Sequence, residues 1–152
     1  MTFEEAEEYL LAKLNDPSGD PHHAKLELVQ FYGSMDRVAD AMHYAEDYLA
    51  ECTDIKEKAE MHFHQGQMME RVRDWELALL YYKKALELSS QAEIDRYFLH
   101  NNIGYSLNQL KRHCEAEPHL REAIRLDPGR ANAFKNLGLS LEGQGRFAEA
   151  AR

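Results

Sequence analysis

The chain has only two cysteines and one tryptophan in 152 residues, and it has no long apolar run. A membrane-crossing helix needs about 20 consecutive apolar residues, so none is expected. Cys52 and Cys114 stand far apart without metal-ligand spacing, which argues against both a disulfide framework and a zinc module. No glycine-rich phosphate loop, nucleophile elbow or H-E-x-x-H occurs, so the chain does not read as an enzyme and no cofactor is expected. A basic stripe is missing too: Lys111-Arg112, Arg121, Arg125 and Arg130 are scattered among acids, and nucleic acid is not an expected partner. The start, Met1-Thr2-Phe3-Glu4-Glu5, has neither the basic opening nor the apolar stretch of a signal peptide. With no membrane segment, a cytoplasmic compartment is the default expectation.

What the chain does have is charge, unevenly spread. Residues 1–60 hold 15 acidic and 5 basic side chains, whereas residues 61–152 hold 12 and 13. The first part reads as a solvated face, or as a surface attracting a basic partner.

It also has a period. Ala6, Ala41, Ala78, Ala116 and Ala150 recur at offsets of 35, 37, 38 and 34. Three residues before them stand Phe3, Val38, Trp75, His113 and Phe147, of which only His113 breaks the apolar rule. Four residues after the first four stand Leu10, Ala45, Tyr82 and Leu120, and eight after stand Leu14, Leu49, Leu86 and Ile124. Gly66, Gly104 and Gly138 precede their alanines by twelve, with Val29 in that place earlier. Apolar residues at helical spacing, repeated about every 34 residues, predict a stacked array of helix pairs.

Local signals place about nine helices. Thr2 and Glu5 form a capping box for the first. Asp20 caps the second and Pro21 starts it. Asp36 is expected to open the third, Thr53 or Asp54 the fourth and Asp74 the fifth. The sixth is expected over about 91–110 and the seventh over about 114–126, with Asp127-Pro128 closing it. Gly143 and Gly145 mark the last turn.

The stretch 101–130 carries a resemblance. Gly104, Leu107, Ala116, Leu120, Ala123 and Pro128 stand in the order of a tetratricopeptide repeat, and the register extends along the chain. The resemblance implies an all-α, right-handed superhelical solenoid of antiparallel helix pairs. Residues 1–152 then form a single domain: 1–16 is the second helix of a partial repeat, 22–53 a divergent repeat, 59–90 and 97–128 full repeats, and 131–152 a truncated one. The start and end are expected to be those of a segment from a longer array, or of a chain whose last unit packs on another molecule. Phe134, Leu137 and Leu141 should then be exposed.

The resemblance also implies function. In this family the first helices line a concave groove that holds a partner's peptide. The residues two before each glycine place are Glu27, His64, Asn102 and Asn136. Family members with asparagine there grip peptide backbone, since an amide both donates and accepts. Asn102 and Asn136 are therefore the expected gripping pair; the alternative reading is that they hydrogen-bond within the repeat or face water. The same stripe holds Phe63, Gln67, Asn101, Tyr105, Asn108 and Lys135, and Phe98 fits either the stripe or the core. The family's carboxylate clamp is not matched, because Phe63 and Asn132 replace its lysines and Asn136 its arginine. His62 and His100 occupy equivalent places in adjacent repeats, but without nearby ligands no metal is expected. The expected function is a non-catalytic scaffold binding a protein or peptide. The alternatives are self-association through the terminal helices, or service as an accessory segment of a larger enzyme.

Overall fold

The computed structural model describes residues 1–151, so Arg152, the last residue of the expected truncated repeat, lies outside the described residues. Among the described residues there are nine helices and no strand. The sequence reads as one domain; the packing resolves two compact units, Met1–Asp54 and Ile55–Arg152.

The first unit holds α1 (Phe3–Leu14), α2 (Pro21–Ser34) and α3 (Val38–Glu51). The Thr2 hydroxyl accepts from the Glu5 amide and the Glu5 carboxylate accepts from the Thr2 amide, completing the capping box. Asp20 accepts from the amides of His22 and His23, with Pro21 just inside the helix. Ala24, Leu28, Val29, Tyr32, Gly33, Ala41, Ala45 and Tyr48 form the unit's buried residues on α2 and α3. Helix α1 buries no residue fully, and is held by Phe3 stacked on Phe31 and by the Tyr32 hydroxyl donating to Glu7.

The second unit holds α4 (Ile55–Arg71), α5 (Trp75–Ala92), α6 (Arg96–Gln109), α7 (His113–Leu126), α8 (Ala131–Gly143) and the short α9 (Phe147–Ala150). The fifth and sixth helices differ from expectation. α5 continues to Ala92, Glu93 ends it in the left-handed region, and Asp95 caps α6 by accepting from the Tyr97 amide.

Within each helix pair the turn is built one way. Asp36, Arg73, Lys111 and Gly145 have φ of 57°, 59°, 62° and 76°. The next amide then reaches back five residues: Arg37 to Tyr32, Asp74 to Met69, Arg112 to Leu107 and Arg146 to Leu141. That is the six-to-one bond of a Schellman-type helix end. Asp36 is thus the left-handed residue of the turn rather than the expected cap. α3, α7 and α9 start after Arg37, Arg112 and Arg146, which make no side-chain cap. Each arginine instead pairs with an acid three residues on, Asp40, Glu115 or Glu149. Asp74 does cap α5, accepting from the Leu77 amide.

Glycine sets how closely helices pair in the second unit. A Cβ on Gly66 would lie 2.5 Å from the Tyr82 ring, and one on Gly104 would lie 2.4 Å from Leu120 Cγ. The bulky residue of each second helix fills the notch left by the glycine of the first. His113, the exception to the apolar rule, is explained likewise: a Cβ on Gly143 would lie 2.2 Å from its ring. The imidazole packs on bare backbone and meets Asn108 Oδ1 through Nδ1 at 3.0 Å.

Candidate functional site

Helix α6 is closed in on most sides. Tyr97, Leu99, His100, Asn101, Ile103, Gly104, Ser106, Leu107 and Asn108 are all buried. After its first residue, Arg96, only Phe98, Asn102, Tyr105 and Gln109 reach solvent. Their spacing of four, three and four is one face of a helix. That stripe carries two aromatic rings and two amides, with no charge.

Its members are held from behind. Tyr105 meets the Trp75 ring edge-on at 5.6 Å. Phe98 is 42% exposed, which places it on the stripe rather than in the core, and the Arg130 guanidinium lies 4.7 Å from the centroids of both Phe98 and Tyr97. Arg130 in turn pairs with Asp95 at 3.0 Å. Asn102 is half-buried, and its Oδ1 accepts from Asn101 at 3.3 Å. The neighbouring Tyr82 hydroxyl is buried with no well-formed hydrogen bond. Burial, with the Glu70 carboxyl beside it, holds that phenol well above its ordinary range.

On α4 the corresponding face carries Glu60, His64, Gln67 and Arg71, all exposed, with Phe63 half-buried beside them. His64 Nδ1 and Gln67 Oε1 lie 3.2 Å apart. On α8, Lys135 is exposed.

Three expected site residues face inward. Asn136 is 8% exposed and its Nδ2 donates to Asn101 Oδ1 at 3.0 Å. Asn108 Nδ2 donates to the Asn136 carbonyl at 3.0 Å, while its Oδ1 accepts from Ser140 Oγ at 2.7 Å. The Tyr97 hydroxyl accepts from the Ala133 amide at 3.2 Å, at the uncapped start of α8. Asn101, Asn108 and Asn136 therefore lock α6 to α8 rather than line an open face. The physical reason is satisfaction: a buried amide must find partners, and each helix supplies the other's.

The histidines are engaged as well. His62 Nδ1 lies 2.8 Å from Gln65 Oε1, and His100 Nδ1 lies 3.1 Å from His119 Nδ1. Burial, followed by the neighbouring His119 and Arg96, pushes the His100 imidazole down to about 4. His119 is lowered too, chiefly by burial. Of the exposed apolar residues expected on α8, Phe134 is 50% exposed and Leu137 is half-buried. Leu141 is buried instead, because it shares the inward face with Ala133 and Ser140, and Leu139 is exposed.

Sequence reasoning missed Asp95 and Arg130. Their link to Phe98 joins the start of α6 to the start of α8, and no local pattern announces it.

Residues 101–152 match a family model described as tetratricopeptide repeat. That stretch is similar to the tetratricopeptide repeat. A curated relative, the small glutamine-rich tetratricopeptide repeat-containing protein 2 of Mycosarcoma maydis, is 30% identical over 93 residues. That match covers 61% of this chain and 25% of the relative, so the chain spans about a quarter of that protein's length. Among solved structures, MamA is similar with a TM-score of 0.80 at 21% identity, over 98% of this chain and 82% of that one. BtubC from P. vanneervenii is similar with a TM-score of 0.80 at 20% identity, over 98% and 69%. At such identities these likenesses establish the helical-repeat fold. No described helix is long and apolar enough to cross a membrane.

Proposed function

We propose that this chain is a non-catalytic scaffold that takes a peptide segment of a partner protein across the first helices of its second unit, α4, α6 and α8. The observation that carries this reading is the open stripe of α6. A solvated helix face ordinarily carries charge, whereas this one presents Phe98, Asn102, Tyr105 and Gln109. Rings bury area at low entropic cost, and amides satisfy a peptide backbone whatever its sequence. His64, Gln67 and Phe63 extend the surface on α4, and Lys135 on α8. The three inward asparagines, Asn101, Asn108 and Asn136, take no part in contact.

The test is capture of partners from a cell extract by the immobilised chain, compared with Asn102→Ala/Tyr105→Ala, after circular dichroism shows both fully helical. Partners held by the parent and by an Arg125→Ala control on α7, but lost from the double variant, are the expected result. Equal capture by all three ends the reading.

A second reading, self-association, draws on Phe134, Leu139 and Phe147, which are exposed on α8 and α9. Exposed apolar groups of this kind favour contact with another chain. A sedimentation mass that rises with concentration, and falls in Phe134→Ser/Phe147→Ser, is its signature.

A further inference from the structure

Where α4 and α6 begin, a cleft of about 310 Å³ opens beside the stripe. Its apolar lining is Phe63, Phe98, Leu99 and Ile94, and its charged lining includes Lys56, Glu60 and Glu93. Leu99 is buried, Phe63 half-buried and Phe98 open, so the apolar wall runs from the interior to the lip. Phe98 is steadied by Arg130, which is itself tied to Asp95. The cleft sits at the small end of ligand sites, roughly 300–1,000 Å³. It suits one or two side chains better than a cofactor.

The charges decide what comes with that side chain. Glu60 and Glu93 are exposed and form no ion pair among the described residues, whereas Asp95 is engaged by Arg130. Lys56 is the single cation on the lining. The uncommitted groups therefore leave the rim net negative, which favours a cation nearby. A carboxylate beside an apolar anchor would meet two like charges.

We infer that this cleft is an anchor site for a bulky apolar side chain of the partner peptide, leucine, methionine or aromatic, with lysine or arginine next to it. The inference rests on the α4–α6 face being a peptide surface, and it names what that surface selects.

The test pans a library of random short peptides on the whole chain and measures the affinity of the enriched sequences for variants. Enrichment of an apolar residue adjacent to lysine or arginine is expected. Phe98→Ala should weaken those peptides about tenfold or more. Glu60→Lys/Glu93→Lys, confined to exposed positions, should weaken them several-fold at low salt and much less at high salt. It should also turn the library towards acidic neighbours. Peptides that are enriched without this pair, or that bind the Phe98→Ala and charge-reversed chains unchanged, overturn the anchor site. If those peptides still weaken with Tyr105→Ala, the peptide-binding face itself stands. A library from which nothing is enriched overturns both.

Discussion

Asn136 Nδ2 donates to Asn101 Oδ1 across 3.0 Å, and Asn101 passes its own amide hydrogen to Asn102 Oδ1 at 3.3 Å. Three asparagines from two successive repeats thus form one relay, buried at the α8 end and partly open at Asn102.

The relay makes Asn136 a stability residue. Asn136→Ala leaves Asn101 Oδ1 buried without its donor, at a cost of about 1–3 kcal/mol. Replacing both Asn101 and Asn136 by leucine should cost less than the sum of the single changes, because no orphaned polar group remains. Urea unfolding of the four chains measures this. A folded Asn136→Ala chain that keeps full stability but loses its partner would return this residue to the binding face.

Gly104 and Leu120 should behave as a coupled pair. The Cβ of Gly104→Ala meets Leu120 at 2.4 Å, and overpacking of this kind costs about 1–3 kcal/mol. In the first unit the same two places hold Val29 and Ala45, both buried, so bulk has moved from the second helix to the first. Gly104→Ala/Leu120→Ala should consequently be more stable than the two single losses added together. A double-mutant cycle by thermal unfolding reads the coupling, and additivity within a few tenths of a kcal/mol would show that the notch is not shared.

The contact of His100 with His119 at 3.1 Å needs at least one neutral ring. Burial chiefly holds both rings below their ordinary range; Arg96, Arg125 and Lys83 around them add to this, and Glu115 and Glu122 oppose it. Since the folded form of His100 takes its proton near 4 and the unfolded form near 6.5, the unfolded chain binds protons first. The contribution is complete above about pH 6.5 and is lost as pH falls towards 4, amounting to no more than about 3 kcal/mol. Melting temperature followed between these limits should fall for the parent and fall less for His100→Leu. Parallel curves would assign the acid loss to other groups.

How much of this could be read in advance depends on how local each feature is. The helices, the caps at Thr2, Asp20 and Asp74, and the alanine register were legible, because each lies within a few residues of its cause. The glycine notches were legible as a pattern but not as a mechanism, since Gly66 and Gly104 act on rings and branches sixteen residues away. The direction of the amides was not legible. Asn101 and Asn102 are neighbours of identical type, and a turn of about 100° separates the relay's buried link from its open end. His113 was an anomaly until Gly143, thirty residues on, proved to be its seat. Phe98 looked more like core than stripe, and its exposure, with Arg130 and Asp95 arranged behind it, shows otherwise.

The Tyr97 hydroxyl, accepting from the Ala133 amide, has an implication for modularity. Helix α8 brings no side-chain cap of its own, because the residue at its threshold is Arg130. Its first turn is finished by a ring from the repeat before it. The α6–α8 junction consequently has a grammatical direction: α8 leaves a clause open for its predecessor to close, whereas α2 and α6 close their own with Asp20 and Asp95. Transplanting the last helix pair into another protein would carry along an unfinished helix start. The smallest portable piece of this region begins at α6.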